Sequence, residues 1–339
     1  MKKLQKEFND FLERIKPSGT HELREKRDKL TDDIKKDFPD LCSAYGIEVN
    51  KSDLRFINQG SYIIGTAIYG KNIDIDYAMI MPLDIEEHKD PRPIKKAVYD
   101  CLYIENKRIP AIKEPCVTVA YHRDDEEYMH IDFPIYAEHD GSLYLGRGKK
   151  SSESFEWEKA DPEGLKEHFL SAFKDKEQLK RIVMYIKKWK QLQYATPSSS
   201  NEVPPSVALT LLACEHFSEH TTGGDDDLSA LYYTMKNIKD AFEVTYNLDN
   251  EIISVDIKCD LPVEPYTDVL YKMRKSAAHL VKFYKKLCRA VDCLREAVNL
   301  SEEHEAAKYV VMVLGDEFTV PEKKAKYSST HNKAEYNYG

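Results

Sequence analysis

Two aspartates one residue apart, Asp74 and Asp76, open the run Asp74-Ile75-Asp76-Tyr77-Ala78-Met79-Ile80-Met81-Pro82. In an extended chain successive side chains alternate faces, so both carboxylates point one way while Ile75 and Tyr77 point the other. Like charges held that close repel unless a cation lies between them. Mg2+ suits the place, because it takes hard oxygen ligands and shares them with substrate phosphates. A third acid, Asp132, sits in the apolar stretch Tyr128-Met129-His130-Ile131-Asp132-Phe133-Pro134-Ile135-Tyr136, expected to be a short strand with Asp132 near its end. Three carboxylates sharing two metals can clamp an in-line phosphoryl displacement: one ion activates the attacking hydroxyl, the other neutralises the triphosphate and its leaving group. Asp132 is expected on the attacking side, where it can help take the hydroxyl proton.

Upstream stands Gln59-Gly60-Ser61-Tyr62. Gly60 lets the backbone approach a phosphate with no Cβ in the way. The backbone N–H groups and the Ser61 hydroxyl can then donate to phosphate oxygens. A Gly-Ser pair, an Asp-x-Asp strand and a strand with one Asp are each ordinary in a charged protein. In this order, between apolar residues, they are far more specific.

These residues need a sheet to hold them and a second lobe to close over them. The sequence reads as an α+β protein: a nucleotidyltransferase-type catalytic lobe over 46–160 with a mixed central sheet, a helical lobe over 161–320, bracing helices over 1–45 and a disordered tail over 321–339. Leu4, Phe8, Phe11, Leu12 and Ile15 form one helical stripe. Thr20 can cap a second helix, expected to end before Pro39. Residues 53–82 read as strand, Gly-Ser turn, short helix and the Asp-x-Asp strand; a helix over 94–104 and strands near 116–121 and 128–136 follow. Residues 138–160, polar and rich in Gly and Ser, read as a loop. Further helices are expected from Asp161-Pro162-Glu163 onward, over 178–193, 204–219, 228–241, 264–299 in one or two pieces, and 302–314. The eighteen residues from Glu322 contain no Leu, Ile, Val, Phe or Met, too few apolar groups to fold.

Composition narrows the function. The 339 residues are 42% hydrophobic and 32% charged, as in a soluble globular protein. A net charge of −9 gives no whole-molecule attraction to nucleic acid or acidic membranes and favours small nucleotide substrates that bring their own metal. Seven scattered cysteines without a Cys-x-x-Cys pair fit reduced cytosolic thiols, with Cys288 and Cys293 as packing residues. No apolar signal core opens the chain, and its apolar runs are too short to span a bilayer, so a cytoplasmic location is expected.

The helix over 178–194 carries Lys180, Arg181, Lys187, Lys188 and Lys190. Most are expected on a solvated face, with one leaning onto a triphosphate; spacing alone does not choose which. Ser206, after Pro204-Pro205, can donate to a phosphate at a helix N-terminus or simply cap that helix, and the sequence favours the cap. Lys272, Arg274, Lys275, Lys282, Lys285, Lys286 and Arg289 read as a solvated helix face, with a nucleic-acid activator site as the minority reading.

Gln59-Gly60-Ser61, the Asp74 to Pro82 strand and His130-Ile131-Asp132-Phe133-Pro134-Ile135-Tyr136-Ala137 resemble the bacterial cGAS/DncV-like nucleotidyltransferases, the CD-NTases. The blocks Trp157-Glu158-Lys159-Ala160-Asp161-Pro162-Glu163-Gly164-Leu165, Tyr185-Ile186-Lys187-Lys188-Trp189-Lys190 and Pro205-Ser206-Val207-Ala208-Leu209 continue the likeness. It covers roughly residues 50–215 and is nearest the cyclic GMP-AMP synthase branch. The resemblance implies a polymerase-β-like lobe joining ribonucleoside triphosphates (ATP, with GTP or UTP as further candidates) into a cyclic di- or trinucleotide. It implies two Mg2+ ions, replaceable by Mn2+, on Asp74, Asp76 and Asp132. It assigns Gln59, Gly60, Ser61, Lys187 and Ser206 to nucleotide contacts. It implies antiphage (CBASS) signalling through a separate effector that reads the product, and raises the prospect of conjugation through the terminal Gly339. One departure stands out: Ile64 occupies a position where some relatives carry a base-stacking aromatic. The alternative is a linear-oligonucleotide, RNA- or small-molecule-modifying nucleotidyltransferase on the same fold.

Overall fold

The computed structural model describes residues 2–17, 20–69, 73–124 and 126–323. The expectations for the tail and for Gly339 lie outside the described residues. Two helices, α1 (Gln5–Ile15) and α2 (Thr20–Ser43), lead into β1 (Arg55–Gln59), the one-turn α3 (Gly60–Ile63) and β2 (Ile73–Pro82). Helix α4 (Arg92–Leu102) and strands β3 (Ala111–Ile112), β4 (Cys116–Arg123), β5 (Glu126–His139), β6 (Ser142–Arg147) and β7 (Glu156–Ala160) complete the first half. Helices α5 (Pro162–Phe173), α6 (Glu177–Gln193), α7 (Ser206–Glu215) and α8 (Asp227–Asp240) follow, then the hairpin β8 (Glu243–Tyr246) and β9 (Ile252–Asp256), then α9 (Ala277–Asn299) and α10 (Glu303–Leu314).

The mixed sheet runs β1-β2-β5-β4-β3, with β6 on β5 and β7 on β6. Strand β2 lies parallel to β5, pairing Asp74 with His130 and Asp76 with Asp132. Strand β5 is longer than expected, so Asp132 sits mid-strand. Its other edge is shared: β4 pairs with its first part and β6 with its last residues. One face of the sheet, carrying Ile75, Met79, Ile131, Phe133 and Ile135, packs with α2 and α4 into the first core. The opposite face carries the acids.

Leu4, Phe8, Phe11 and Ile15 of α1 are buried in the core of the helical lobe, whereas Leu23, Leu30, Ile34 and Phe38 of α2 are buried in the core of the sheet. The two bracing helices thus serve different lobes. Phe8 and Phe11 meet Tyr185 and Phe318 with ring centroids 4.9–5.8 Å apart, in the range of favourable aromatic pairing. Cys288 and Cys293 are partly buried against the helical core, as packing residues.

Four expectations need correction. Helix α2 continues through Pro39 to Ser43; the lost backbone bond is offset by burying Phe38 and Cys42 completely. The segment read as a loop over 138–160 contains β6 and β7. Its turn, Asp140-Gly141, has positive φ at both residues (47° and 71°), a two-residue hairpin turn. The hairpin of β8 and β9 was not expected at all. Finally, α9 starts at Ala277, because the segment with Pro262 and Pro265 is irregular and ties Asp268 to Arg274.

Candidate active site

Strand pairing collects the polar residues. Gln59 pairs with Asp76 across β1 and β2, and Asp76 pairs with Asp132 across β2 and β5. Alternation therefore places Gln59, Asp74, Asp76, His130 and Asp132 on one face. The carboxylates of Asp74 and Asp132 and the imidazole of His130 each offer a ligand atom within 4.8 Å of the others. Asp76 turns onto the glycine turn: a Cβ built on Gly60 would lie 2.1 Å from its Oδ2. Gly60 has φ +73°, so both its backbone and its missing side chain are used here.

The site is short of positive charge. Burial, together with the charges of Asp74 and Asp132, pushes the Asp76 carboxyl up to about 7. His130 Nε2 lies 3.1 Å from Asp74 Oδ1, and its Nδ1 lies 3.0 Å from Glu127 Oε1. The bond to Asp74 raises His130 to about 9 despite its burial, so the ring is an imidazolium beside the acids. Thr118 donates to Asp132 Oδ1 at 2.5 Å, and Lys113 Nζ stands 3.5 Å from the same oxygen. Crowded carboxylates of this kind fit Mg2+ or Mn2+, and His130 serves better as a charged neighbour of Asp74 than as a ligand for either ion.

Above the acids opens a cleft of about 560 Å³, well within the range of small-ligand sites. Gln59, Gly60, Ser61, Asp74, Asp76, Lys187 and Ser206 all line it; Asp132 does not, although its carboxylate lies within 4.8 Å of that of Asp74. The sequence left the choice among the α6 cations to the resemblance; the structure brings two of them into the cleft. Lys187 is buried and donates to the carbonyl and hydroxyl of Thr66 at 3.1 and 2.9 Å. Lys190 donates to Ser206 Oγ at 2.6 Å. Burial, and for Lys187 also the charge of Lys190, lowers Lys187 to about 7; burial lowers Lys190 to about 8. The expectation of a mostly solvated lysine face fails in the same helix. Lys188 is buried and pairs with Glu317, and Arg181 reaches the fully buried Asp227. Ser206 is the first residue of α7, with Pro205 at the cap position, so its hydroxyl is not a cap.

Residues 54–136 match the family model described as cyclic GMP-AMP synthase DncV-like, nucleotidyltransferase domain. This segment is similar to the DncV-like nucleotidyltransferase domains. It contains all three aspartates and the Gly-Ser turn. The full chain also resembles solved structures of Vibrio cholerae DncV, a cyclic AMP-GMP synthase and prokaryotic cGAS homologue. One superposes with a TM-score of 0.68 at 16% identity, covering 94% of this chain and 98% of that chain. A complex with GTP and 5MTHFGLU2 gives 0.68 at 17% identity, over 94% and 97%. A complex with the linear intermediate 5' pppA(3',5')pG gives 0.65 at 16% identity, over 90% and 93%. The likeness is one of fold, and it extends the match from the nucleotidyltransferase domain across the helical lobe. No described helix is long and apolar enough to cross a membrane.

Thr118, His130 and Lys190 were not singled out from the sequence. His130 shares a face with Asp132 two residues on, and Lys190 lies one helical turn from Lys187; either spacing could have flagged them.

Proposed function

We propose that this protein is a divalent-metal-dependent nucleotidyltransferase that joins ribonucleoside triphosphates into a cyclic di- or trinucleotide. The observation that carries this reading is the placement of Asp74, Asp76 and Asp132 on one sheet face, beside a glycine turn and under a cleft lined by the buried Lys187 and the half-buried Lys190. Asp74, Asp76 and Asp132 would hold the cation, which when bound lowers the pKa of the attacking hydroxyl and neutralises charge on the triphosphate. Gly60 and Ser61 donate to phosphate oxygens. Lys187 and Lys190 give up Thr66 and Ser206 for the phosphates and regain full charge there. Gln59 stands beside Asp76 on the neighbouring strand and accepts from Tyr136 at 3.5 Å, which sets it at the cleft floor.

Cyclisation is supported by fold likeness to a protein solved with a linear intermediate, and by a cleft without rigid aromatic clamps at Ile64. Signalling through an effector, antiphage defence, a cytoplasmic location and conjugation through Gly339 follow from the family resemblance and belong to the same reading.

The test is mass spectrometry of products formed by the purified chain from all four ribonucleoside triphosphates with Mg2+ or Mn2+. A phosphatase-resistant cyclic product, absent from Asp74→Asn and Asp76→Asn, is expected. A linear product would redirect the reading to oligonucleotide synthesis. Full activity in both variants would remove the metal-clamp mechanism.

A further inference from the structure

Strands β6 and β7 form one wall of the cleft. Leu145 pairs with Glu158 and Leu143 with Ala160, so Leu145, Arg147, Glu158 and Ala160 share a face, and all four line the cleft. Arg147 and Glu158 sit diagonally across the two strands and form an ion pair in which Nε and Nη2 both meet Oε2. Among the described residues, no hydrogen-bond partner is recorded for Glu158 Oε1 or Arg147 Nη1. Each side chain is about a quarter exposed (27%) and opens onto the cleft.

Tyr136 fixes where this pair lies relative to the acids. Its phenol is buried, bonded to Gln59, and feels Asp76 as well as Arg147 and Glu158. Tyr136 pairs with Ile80 of β2 on one side and with Leu145 of β6 on the other, so the pair lies on the same sheet face as the acids. Around it the lining is aliphatic: Leu145, Leu165, Leu261, Val263 and Pro265. Apolar walls with one charged end describe a slot for a flat heterocycle whose edge carries both donors and acceptors.

We propose that Arg147 and Glu158 select guanine among the bases entering this cleft. The inference rests on the nucleotidyltransferase reading above and names its base selector. Guanine presents N1–H and the 2-amino group side by side, two donors for the two oxygens of one carboxylate. Next to them, O6 accepts from a guanidinium; Arg is the usual partner of guanine O6 and N7. Adenine offers an unprotonated N1 where guanine has its donor, which sets a lone pair against the Glu158 carboxylate. Uracil and cytosine each offer one donor there. Only guanine satisfies both side chains without breaking their pairing, and a site that hydrogen-bonds a substrate edge discriminates against analogues lacking the matching donors.

Binding of the non-hydrolysable α,β-methylene analogues of GTP, ITP and ATP to the full chain with Mg2+ separates the possibilities. Inosine keeps N1–H and O6 and lacks only the 2-amino group. Wild type is expected to bind the GTP analogue about ten- to a hundredfold more tightly than the ATP analogue, with ITP between them. Glu158→Gln should bring GTP down to the ITP level while ATP binding holds or improves, because the amide no longer sets a carboxylate against adenine N1. Arg147→Met should reduce GTP and ITP alike, through O6. An unchanged GTP-to-ITP ratio in Glu158→Gln overturns the inference, and so does an equal loss for all three nucleotides. Both outcomes leave the proposed function standing, because triphosphates still bind. Failure of wild type to bind any of the three overturns the proposed function as well.

Discussion

Gly60→Ala tests the active-site geometry at the point where it is tightest. The new Cβ would stand 2.1 Å from Asp76 Oδ2, 3.0 Å from Cγ and 3.2 Å from Cβ. The Asp76 Cβ need yield only a few tenths of an ångström, but Oδ2 must move by roughly 1 Å or more to reach ordinary contact, which turns the carboxylate away from its place. Misplacement of a reacting geometry by that amount costs on the order of 100-fold in rate. The backbone adds a separate cost: φ is +73°, and a residue with a Cβ loses about 1–2 kcal/mol there, a few degrees of melting temperature in a chain of this size. The two effects are measurable apart, by product formation with saturating triphosphates and by thermal unfolding of the ligand-free protein. The expected result is a modest loss of stability with a far larger loss of turnover. A Gly60→Ala protein that melts lower yet keeps more than half of its turnover would refute the claim that Gly60 positions Asp76.

Lys187 and Lys190 are held at about 7 and about 8, so at pH 8 the empty cleft is short of protons that phosphates would restore. Calorimetry in two buffers of different ionisation enthalpy should show net proton uptake on triphosphate binding at pH 8, less at pH 6.5, and a reduced uptake in Lys187→Met; zero uptake at pH 8 would contradict the assignment. Because their folded pKa values lie below the unfolded value, the folded state binds fewer protons above about pH 7, and these lysines make the ligand-free protein gain stability as pH rises from there toward 10. Lys95 is fully buried and donates to the carbonyls of Lys113, Glu114 and Gly148 at 2.6–2.7 Å. Lys95→Met takes the ammonium from the carbonyls of Lys113 and Gly148, while that of Glu114 still accepts from the Gly148 N–H; at about 1–3 kcal/mol for each unsatisfied group it should lower unfolding free energy in denaturant by about 2 kcal/mol or more, and a loss under about 1 kcal/mol would show that water replaces the ammonium.

What the sequence made legible is what strand periodicity controls. Asp74 and Asp76 must share a face wherever their strand sits, and the glycine between Gln59 and Ser61 announces a close approach. Asp132 needed one further inference, an apolar strand with a lone acid, and its partner across β2 is Asp76 itself. The missing parts depend on register between distant segments. Arg147 and Glu158 meet only because β6 and β7 pair as they do, and polarity alone reads as loop a stretch whose Asp140-Gly141 turn carries β5 into β6. The lysines of α6 were misread for a related reason. A cation on a helix reads as solvated until a second lobe covers it, and Thr66, Ser206 and Glu317 arrive from far along the chain.

The segment from Gly60 to Ile68 leaves the sheet beside Asp76, and its Ile64 and Ile68 belong with the helical lobe, Ile64 within that lobe's core and Ile68 packed against it. The same short span is tied to α6 through Thr66 and Lys187. One end is thus seated on the catalytic sheet and the other is anchored in the opposite lobe. Any tilt of one lobe against the other arrives at Gly60 and Ser61 as a change in tension, and Asp76 rests on Gly60. A molecule built this way gauges the fit of whatever fills its cleft, since a misfit would pull the turn off the aspartate before any bond could form.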